Sequence, residues 1–411
     1  MKFSKHKLGE LLRVTRGTSL PGTGYADEGR YLRLTLANFH EEGGFKDFKS
    51  TQGKYFVEAF DNRFLMHKGD LITPLTEQSP GLLGSVAFIP CDDLYIQSQD
   101  VGLITCNTEK LDKTFAYYLF LTRSVREQIS ARSQQTKIRH TSPDKISDVE
   151  VYLPDLPTQL RIAGVLGSID EKIELNRRKI AELEALAKTI YDYWFVQFDF
   201  PDANGRPYKS SGGKMVWNEQ LKREVPEGWE TQPLNSFMDT KVQPSIPITA
   251  TVPYVTTENL MPNMSGYQRE EQRVTSIIGG RGFFRNDTLV SNIRPYFQKL
   301  WYADTYGVAS SDVIRFHAKE CSSLLFFALA RANFFAYVMK GSKGSKMPRG
   351  DKAHIARYVL SWGNDSIRNK SVTLFQPILE RCNLLANEIA CLEHQRDTLL
   401  PLLMNGQVVV G

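Results

Sequence analysis

The sequence predicts an α+β protein in which two similar mixed α/β domains are separated by two long helices. Three observations support this prediction: an internal repeat, an apolar ladder of coiled-coil spacing in each copy of the repeat, and short strand-like runs bounded by Gly, Pro or Asp. The chain has 411 residues, which is too long for a single domain of about 150 residues. With 41% hydrophobic and 24% charged residues, its composition is that of a folded globular protein.

The internal repeat consists of short matches between the two halves of the chain. The offset in residue number between matched residues decreases along the chain, as expected if the loops of the two halves differ in length. From Ser133, which matches Ser342, the offset stays constant through Ile180, which matches Ile389. The repeat therefore includes the helix that follows each domain. Earlier matched pairs are Leu8 and Leu234, Thr35 and Thr256, Asn38 and Asn259, Asp70 and Asp287, and Asp100 and Asp312.

Each copy of the repeat ends in an apolar ladder with alternating spacings of three and four residues, as in a coiled-coil seam. Either ladder alone is typical of an amphipathic helix packed on its own domain. Because the two ladders share one register, we predict that the helices pair with each other. Asn176 and Arg396 are polar seam positions, which cost stability but fix register. The ladder residues are Leu166, Ile169, Ile173, Asn176, Ile180, Leu183, Ala187, Ile190 and Trp194, and then Phe375, Ile378, Cys382, Leu385, Ile389, Leu392, Arg396, Leu399 and Leu403.

The predicted order is domain, helix, domain, helix, with a polar segment rich in Gly, Pro and Ser before the second domain. The most apolar window, Leu324–Met339, has Arg331 and Asn333 at its middle, so it predicts a buried helix and no membrane span. The predicted boundaries are 1–155 for the first domain, 156–197 for the central helical spacer, 198–228 for an extended linker, 229–365 for the second domain and 366–411 for the C-terminal helical spacer.

No catalytic or metal-binding residue is predicted. The five cysteines and seven histidines show no metal-ligand spacing, and an odd number of cysteines fits a reducing cytoplasm. The phosphate-binding loop, zinc-protease and hydrolase motifs are absent, as are the tetrapeptides of DNA methyltransferases. Asp170-Glu171-Lys172 is superficially similar to a nuclease acidic cluster but lies on the ladder helix. A self-contained nucleic-acid-processing enzyme such as a nuclease remains the alternative.

Two basic loops occupy equivalent places in the repeat. Arg123–Lys145 and Lys340–Arg357 each contain six Lys and Arg residues, with hydroxyl, amide or glycine residues among them. Basic side chains neutralise phosphates and Gln, Ser, Thr and Arg can bond base edges, so the mixture predicts contact with double-stranded DNA. The net charge of +5 does not oppose this, since the basic footprint can be confined to one face. A solvated loop is the alternative.

A second candidate surface is Asn292–Lys299, with Pro74–Ser79 as its counterpart in the first half. Its polar and aromatic residues follow a predicted strand, and a strand-end turn with packed aromatics is the alternative interpretation. Together, the two surfaces give the candidate DNA-binding residues Thr76, Gln78, Ser133, Gln134, Gln135, Thr136, Lys137, Arg139, Arg294, Tyr296, Gln298, Ser342, Lys343, Lys346 and Arg349.

The block that joins the two halves resembles a known family. Leu156–Ala163 leads into Leu166–Asn176, followed by Tyr193–Val196, and Val225–Glu230 precedes the second half. This pattern is similar to that of the specificity subunit of bacterial type I restriction-modification systems. The resemblance in organisation covers essentially the whole chain, although Leu374–Ile378 replaces a close copy of the Pro-Thr-Gln-Leu-Arg motif at the second helix.

The resemblance implies two target recognition domains, each reading half of a bipartite DNA site. It implies that the two helices pack as an antiparallel coiled coil and set the gap between the half-sites. It also implies a chain that is non-catalytic and binds no cofactor: two methyltransferase subunits would carry S-adenosylmethionine, and restriction subunits would use ATP and Mg. A structural scaffold whose loops do not bind DNA is the remaining alternative.

Overall fold

The computed structural model describes residues 2–46, 55–78, 80–133, 139–246, 251–268, 273–274 and 280–410. The chain divides into two compact units. The first unit consists of Met1–Ile173 with Cys391–Gly411, and the second is Glu174–Ala390. Each unit contains one mixed α/β domain and one end of each of the two long helices.

The domain of the first unit is built on a four-stranded antiparallel sheet of order β2-β10-β6-β8. A second sheet has the order β3-β5-β4-β9, and the edge pair β1-β12 closes the domain beside the first long helix. The elements are β1 (Ser4–Lys7), β2 (Leu12–Arg16), β3 (Tyr25–Ala26), β4 (Tyr31–Arg33), β5 (Tyr55–Phe56), β6 (Leu71–Pro74), β7 (Thr76–Glu77), β8 (Ala87–Phe88), β9 (Tyr95–Ile96), β10 (Val101–Cys106), α1 (Lys113–Leu121), α2 (Arg123–Ala131), β11 (Arg139–His140), α3 (Pro143–Ser147), β12 (Glu150–Leu153) and the long helix α4 (Leu156–Tyr191).

The domain of the second unit contains a three-stranded sheet β20-β19-β22, a four-stranded sheet β17-β16-β21-β18 and the pair β15-β23. The elements are β13 (Met215–Asn218), β14 (Arg223–Pro226), β15 (Glu230–Pro233), β16 (Val252–Val255), β17 (Arg273–Val274), β18 (Gly280–Phe283), β19 (Thr288–Ser291), β20 (Leu300–Tyr302), β21 (Gly307–Ser310), β22 (Val313–Phe316), α5 (Ser322–Leu329), α6 (Ala332–Lys340), α7 (Lys352–Ala356), β23 (Val359–Trp362) and the long helix α8 (Asp365–Met404).

The sequence repeat is also a repeat of strand pairing. Strand β6 pairs antiparallel with β10 in the first unit, with Leu71 opposite Ile104. The matched strands β19 and β22 pair the same way, with Thr288 opposite Phe316. In both units two helices, a short third helix and an edge strand then lead into the long helix. The prediction of two similar α+β domains is confirmed.

Two local turns show the repeat at atomic detail. Asn38 Oδ1 accepts hydrogen bonds from the backbone N–H and the hydroxyl of Thr35, at 2.9 and 3.2 Å. Asn259 accepts the same two bonds from Thr256, at 2.9 and 2.8 Å. A short polar side chain that bonds nearby backbone stabilises a tight turn at a strand end. The matched Thr and Asn residues therefore mark one turn that each unit uses after its β4 or β16 strand.

The long helices start alike although their sequences differ. Asp155 Oδ1 accepts the N–H of Thr158, and Asn364 Oδ1 accepts the N–H of Ile367. Both residues are N-caps, since a side-chain oxygen bonds an N–H of the first turn that has no helical partner. Helix α8 therefore has the same kind of N-terminal cap as α4, although it lacks the Pro-Thr-Gln-Leu-Arg motif.

Within each unit, the two long helices run antiparallel. In the first unit, Arg396 Nη1 lies 3.0 Å from Asp170 Oδ1, and Leu166 shares a core with Leu403. In the second unit, the rings of Tyr191 and Phe375 are 6.3 Å apart, and the preceding turn of α4 shares a core with the following turn of α8. Within each unit, residue numbers therefore increase along α4 in the direction in which they decrease along α8, as the predicted antiparallel pairing requires.

All predicted ladder positions are buried or half-buried, whereas Leu160 and Leu186 on other faces of α4 are about half exposed. Asn176 is fully buried, and neither its Oδ1 nor its Nδ2 has a hydrogen-bond partner among the described residues. Beyond the contacts named above, the assignment of individual ladder residues to the seam stays a prediction.

The apolar window Leu324–Met339 is two helices, so the prediction of one buried helix was wrong. Helices α5 and α6 are bent by 67° at Ala330 and Arg331. Arg331 is paired with Asp192, and its guanidinium lies over the ring of Tyr191. No single helix of the described chain is long and apolar enough to cross a membrane, although this bent pair passes the same criterion by length and composition.

The segment 198–228 is more ordered than the extended linker that its composition suggested. Strands β13 and β14 pair as a hairpin, and Phe198, Phe200 and Trp229 are buried in the core of the second unit. The Phe198 and Trp229 rings meet edge to face with centroids 5.2 Å apart. A few large aromatic residues therefore attach this segment to the domain that follows. The predicted domain boundaries stay a prediction.

Candidate nucleic-acid interface

The two surfaces that the sequence predicts separately lie side by side in the first unit. Strand β7 pairs antiparallel with β11, with Thr76 opposite His140. The N–H of Thr141 continues this pairing by donating to the carbonyl of Leu75 at 2.9 Å. The strand-end segment and the end of the basic loop thus form one surface, which is held by backbone hydrogen bonds.

The second unit repeats this arrangement at the matched positions. Ile293 and Arg349 form an isolated antiparallel bridge. The N–H of Arg294 donates to the carbonyl of Pro348 at 2.8 Å, and the N–H of Gly350 donates to the carbonyl of Asn292 at 3.1 Å. The same two segments meet in both units, so the pairing belongs to the repeated design of the domain.

Three predicted residues of the first unit support this surface from within. Thr76 and Ser133 are buried, and the Ser133 hydroxyl donates to the carbonyl of Ser130 at 2.6 Å. Arg139 Nη1 lies 3.0 Å from the carboxylate of Glu77, which is itself buried. The charge of Arg139 is therefore already paired inside the domain, which the spacing of residues along the chain does not reveal.

Glu77 organises the turn that follows β7. Its Oε2 accepts hydrogen bonds from the N–H groups of Gly81, Leu82 and Leu83 at 2.9–3.0 Å. A carboxylate that accepts several N–H bonds and one guanidinium is stable without water, because its charge is fully compensated. Glu77 and Arg139 thus fix the shape of the loop.

Gln78 is exposed, and it borders a polar cavity of about 680 Å³. The Thr35–Asn38 turn forms another wall of this cavity. Hydroxyl, amide and cationic groups that converge on one cavity can bond base edges and phosphates together. The polar side chains around it are Arg33, Thr35, His40, Glu41, Lys46, Gln78 and Asp100.

The second unit has a cavity of about 220 Å³ between the same turn and the same strand-end segment. Lys299 reaches across it, with Nζ 2.6 Å from the carbonyl of Thr257. Burial lowers the pKa of Lys299, while the charge of Glu258 opposes that shift. The cavity is lined by Thr257, Glu258, Ser291, Ile293, Arg294, Phe297, Lys299 and Met347.

The basic loop of the second unit is exposed. Lys346 is exposed, and the side chain of Arg349 is 58% exposed although it pairs with Asp312 at 3.0 Å. Lys343 lies 3.4 Å from Asp351, and the hydroxyl of Ser342 donates to the carbonyl of Val338. Exposed pairs of this kind are weak, so Lys343 and Arg349 remain able to contact phosphates, whereas Ser342 closes the preceding helix.

The turn Arg294–Gln298 presents the remaining predicted residues. Arg294 and Gln298 both have left-handed backbones, with φ of 49° and 52°. Between them, Tyr296 is 48% exposed and Phe297 is 39% exposed. Gln134, Gln135, Thr136 and Lys137 lie outside the described residues, so their assignment stays a prediction.

The sequence reasoning missed several residues of this surface. Arg33 and Lys46 line the first cavity but lie outside both candidate surfaces, and Lys299, the last residue of the second candidate surface, was not among the predicted DNA-binding residues. The signal that points to them is the matched Thr and Asn turn, which places the end of β4 or β16 beside the strand-end segment. Among the described residues, no group of three or more His, Cys, Asp or Glu side chains is placed to hold a metal ion.

Comparison with known proteins shows similarity to one family. Residues 2–185 match the family model of the type I restriction modification DNA specificity domain. The chain is 24% identical over 315 residues to the type I restriction enzyme MjaIX specificity subunit of Methanocaldococcus jannaschii, covering 72% of this chain and 69% of that protein. It is 30% identical over 135 residues to the HindI specificity subunit of Haemophilus influenzae, covering 32% of this chain and 29% of that one.

Its fold is also that of a solved member. The crystal structure of the type I restriction-modification S subunit from M. genitalium superposes with a TM-score of 0.62 at 15% sequence identity, and the match covers 98% of this chain and 96% of that one. Residues 2–185 therefore match the family of type I restriction modification DNA specificity domains, the chain is similar to type I restriction enzyme specificity subunits, and its fold is that of an S subunit.

Proposed function

We propose that each domain reads one half of a bipartite target in double-stranded DNA and that the paired helices set the gap between the halves. As a specificity subunit, the chain supplies DNA sequence recognition and no catalytic step. The observation that carries the proposal is the shared backbone pairing of the strand-end segment with the basic loop, through Thr76 and His140 in one unit and Ile293 and Arg349 in the other.

The chemistry of this surface suits a duplex. Exposed Lys346 and Arg349 supply charge for phosphates, and Gln78 and Arg294 border cavities with groups that can bond base edges. Because the side chains around the two cavities differ, the two half-sites should differ in sequence. The backbone frame is the same, so both domains should approach the duplex in the same way.

The chain acts within a restriction-modification complex on DNA. We propose that it binds two methyltransferase subunits that hold S-adenosylmethionine, and that restriction subunits which use ATP and Mg join them in the cytoplasm. No cofactor is assigned to this chain. We assign to this assembly the groove of about 830 Å³ between α2, β12 and the end of α8, which is lined by apolar residues such as Tyr152 and Leu400 and by charged residues of α2.

The test is selection of bound duplexes from random DNA by the full-length chain in complex with its methyltransferase subunits. We expect two short conserved blocks that are separated by a gap of fixed length. Lys346→Ala should weaken binding to all sequences alike, while Lys209→Ala, which removes an exposed lysine of the 198–228 segment, should have little effect. A single continuous motif, or no selected motif, would exclude the proposed mode of recognition.

A further inference from the structure

The turn Arg294–Gln298 exposes two adjacent aromatic rings on the candidate interface. The ring centroids of Tyr296 and Phe297 are 4.7 Å apart, and both residues are more than one third exposed. Met347 of the basic loop is 51% exposed and lines the same cavity as Phe297. Three large apolar side chains thus reach solvent at a site that otherwise carries cations.

The backbone holds these rings in an uncommon conformation. Arg294 and Gln298 occupy the left-handed region, which a non-glycine residue adopts only at a cost. The carbonyls of Phe297 and Gln298 accept hydrogen bonds from Asn263 and Met264 at 2.8 and 2.7 Å. Strain that is held by surrounding contacts is typical of functional sites. The turn therefore displays its rings on a fixed support.

In sequence, the matched turn of the first unit carries no aromatic residue. The matched segment is Glu77–Gly81, where the buried carboxylate of Glu77 takes the place of Arg294 and organises the loop. Its tip carries Gln78 and Pro80 and no aromatic residue. The two domains share a frame but differ in what they present at this turn.

We propose that Tyr296 and Phe297, supported by Met347, form an apolar wedge that packs into one base step of the half-site read by the second unit and partly unstacks it. The inference rests on the proposed function and adds a mode of readout to it. Apolar wedges unstack base steps, and the sequence of the step decides how readily it opens. Lys299 and Lys346 lie on the segments that flank the wedge and would hold the adjacent phosphates.

The experiment uses the full-length chain with its methyltransferase subunits, bound to its selected target. 2-Aminopurine is placed at each position of the second half-site in turn, and the reactivity of thymines with permanganate is measured on the same duplex. We expect one altered base step in addition to any target base that the methyltransferase subunits extrude. The double variant Tyr296→Ser with Phe297→Ser should lose this signal and bind about tenfold more weakly. Tyr296→Phe should keep the signal, because it keeps the ring.

Tyr306→Ser is the matched control, since Tyr306 is an exposed tyrosine of the same unit outside the turn. Selective binding by the wild type without an altered base step would overturn the wedge and leave the proposed function standing. An altered step that persists in the double variant would also overturn it. Absence of any selective binding would instead contradict the proposed function.

Discussion

The polar contact between the long helices of the first unit offers a sharp test of their pairing. Asp170 accepts a hydrogen bond from the Tyr118 hydroxyl at 2.6 Å and pairs with Arg396 at 3.0 Å. Tyr118 is buried, and the side chains of Asp170 and Arg396 are 29% and 23% exposed. Burial acts to lower the pKa of Arg396, but Asp170 raises it overall. The pair therefore stabilises the charged form of Arg396.

Arg396→Ala removes one partner and leaves Asp170 with only the tyrosine. Breaking a fully buried pair costs about 3–5 kcal/mol, whereas exposed pairs contribute about 0–1 kcal/mol. Because these side chains keep partial contact with water, we expect a loss of about 1–3 kcal/mol. In a unit of this size that loss lowers Tm by roughly 2–4 °C for each kcal/mol. Calorimetry of the full-length chain measures it.

The second unit supplies the matched control. Its residues at the equivalent positions are Phe327, Leu379 and Ala187, which are all buried and apolar. The triple variant Tyr118→Phe, Asp170→Leu and Arg396→Ala copies this triad into the first unit. Replacing a buried pair by packed apolar groups is often neutral or stabilising, so the triple variant should recover most of the lost stability. A triple variant as unstable as Arg396→Ala, or a stable Arg396→Ala, would refute the reasoning.

Three further predictions follow from the same contacts. Burial raises the pKa of Tyr118, and the charge of Asp170 raises it further. The contribution of the neutral Tyr118 hydroxyl to folding stability is therefore complete below the unfolded pKa of about 10 and is lost as the pH rises above that value. Tyr118→Phe removes the titrating hydroxyl, so it should flatten the fall of Tm in that pH range. Lys346→Ala should reduce the slope of log affinity against log salt by about 0.9 if it contacts one phosphate, and an unchanged slope would remove Lys346 from the interface. Inserting one heptad into both α4 and α8 should change the gap in the target and leave each half-site unchanged, as read by selection from random DNA; altered half-sites would contradict the role of the helices.

Periodicity made the long helices and the repeat predictable, because a ladder such as Leu166 to Trp194 depends only on local spacing. Side-chain roles at the interface were less predictable, since they depend on contacts between distant segments. Arg139 looks like a free cation in the sequence, but a carboxylate 62 positions away neutralises it. Thr76 looks polar and accessible, but strand pairing buries it.

The same reason explains the other differences. The break between α5 and α6 falls at Ala330 and Arg331, and Arg331 pairs with Asp192 just beyond the end of α4, far away in the sequence. The segment 198–228 is polar on average, but its few aromatic residues find partners such as Trp229 in the core of the second unit. The sequence predicted Tyr296 only as a candidate DNA contact. The proposal of a wedge also depends on the left-handed backbone of Arg294 and Gln298, which the sequence does not reveal.

Mapping of methylated bases in the native genome, with the chain present and deleted, tests the central claim most directly. The account predicts a modified motif of two conserved blocks with a fixed gap, which disappears on deletion and returns when the chain is restored. With the wedge variant, any change in selectivity should fall in one block only. A methylation pattern that is independent of the chain, or a motif without a gap, would contradict the account.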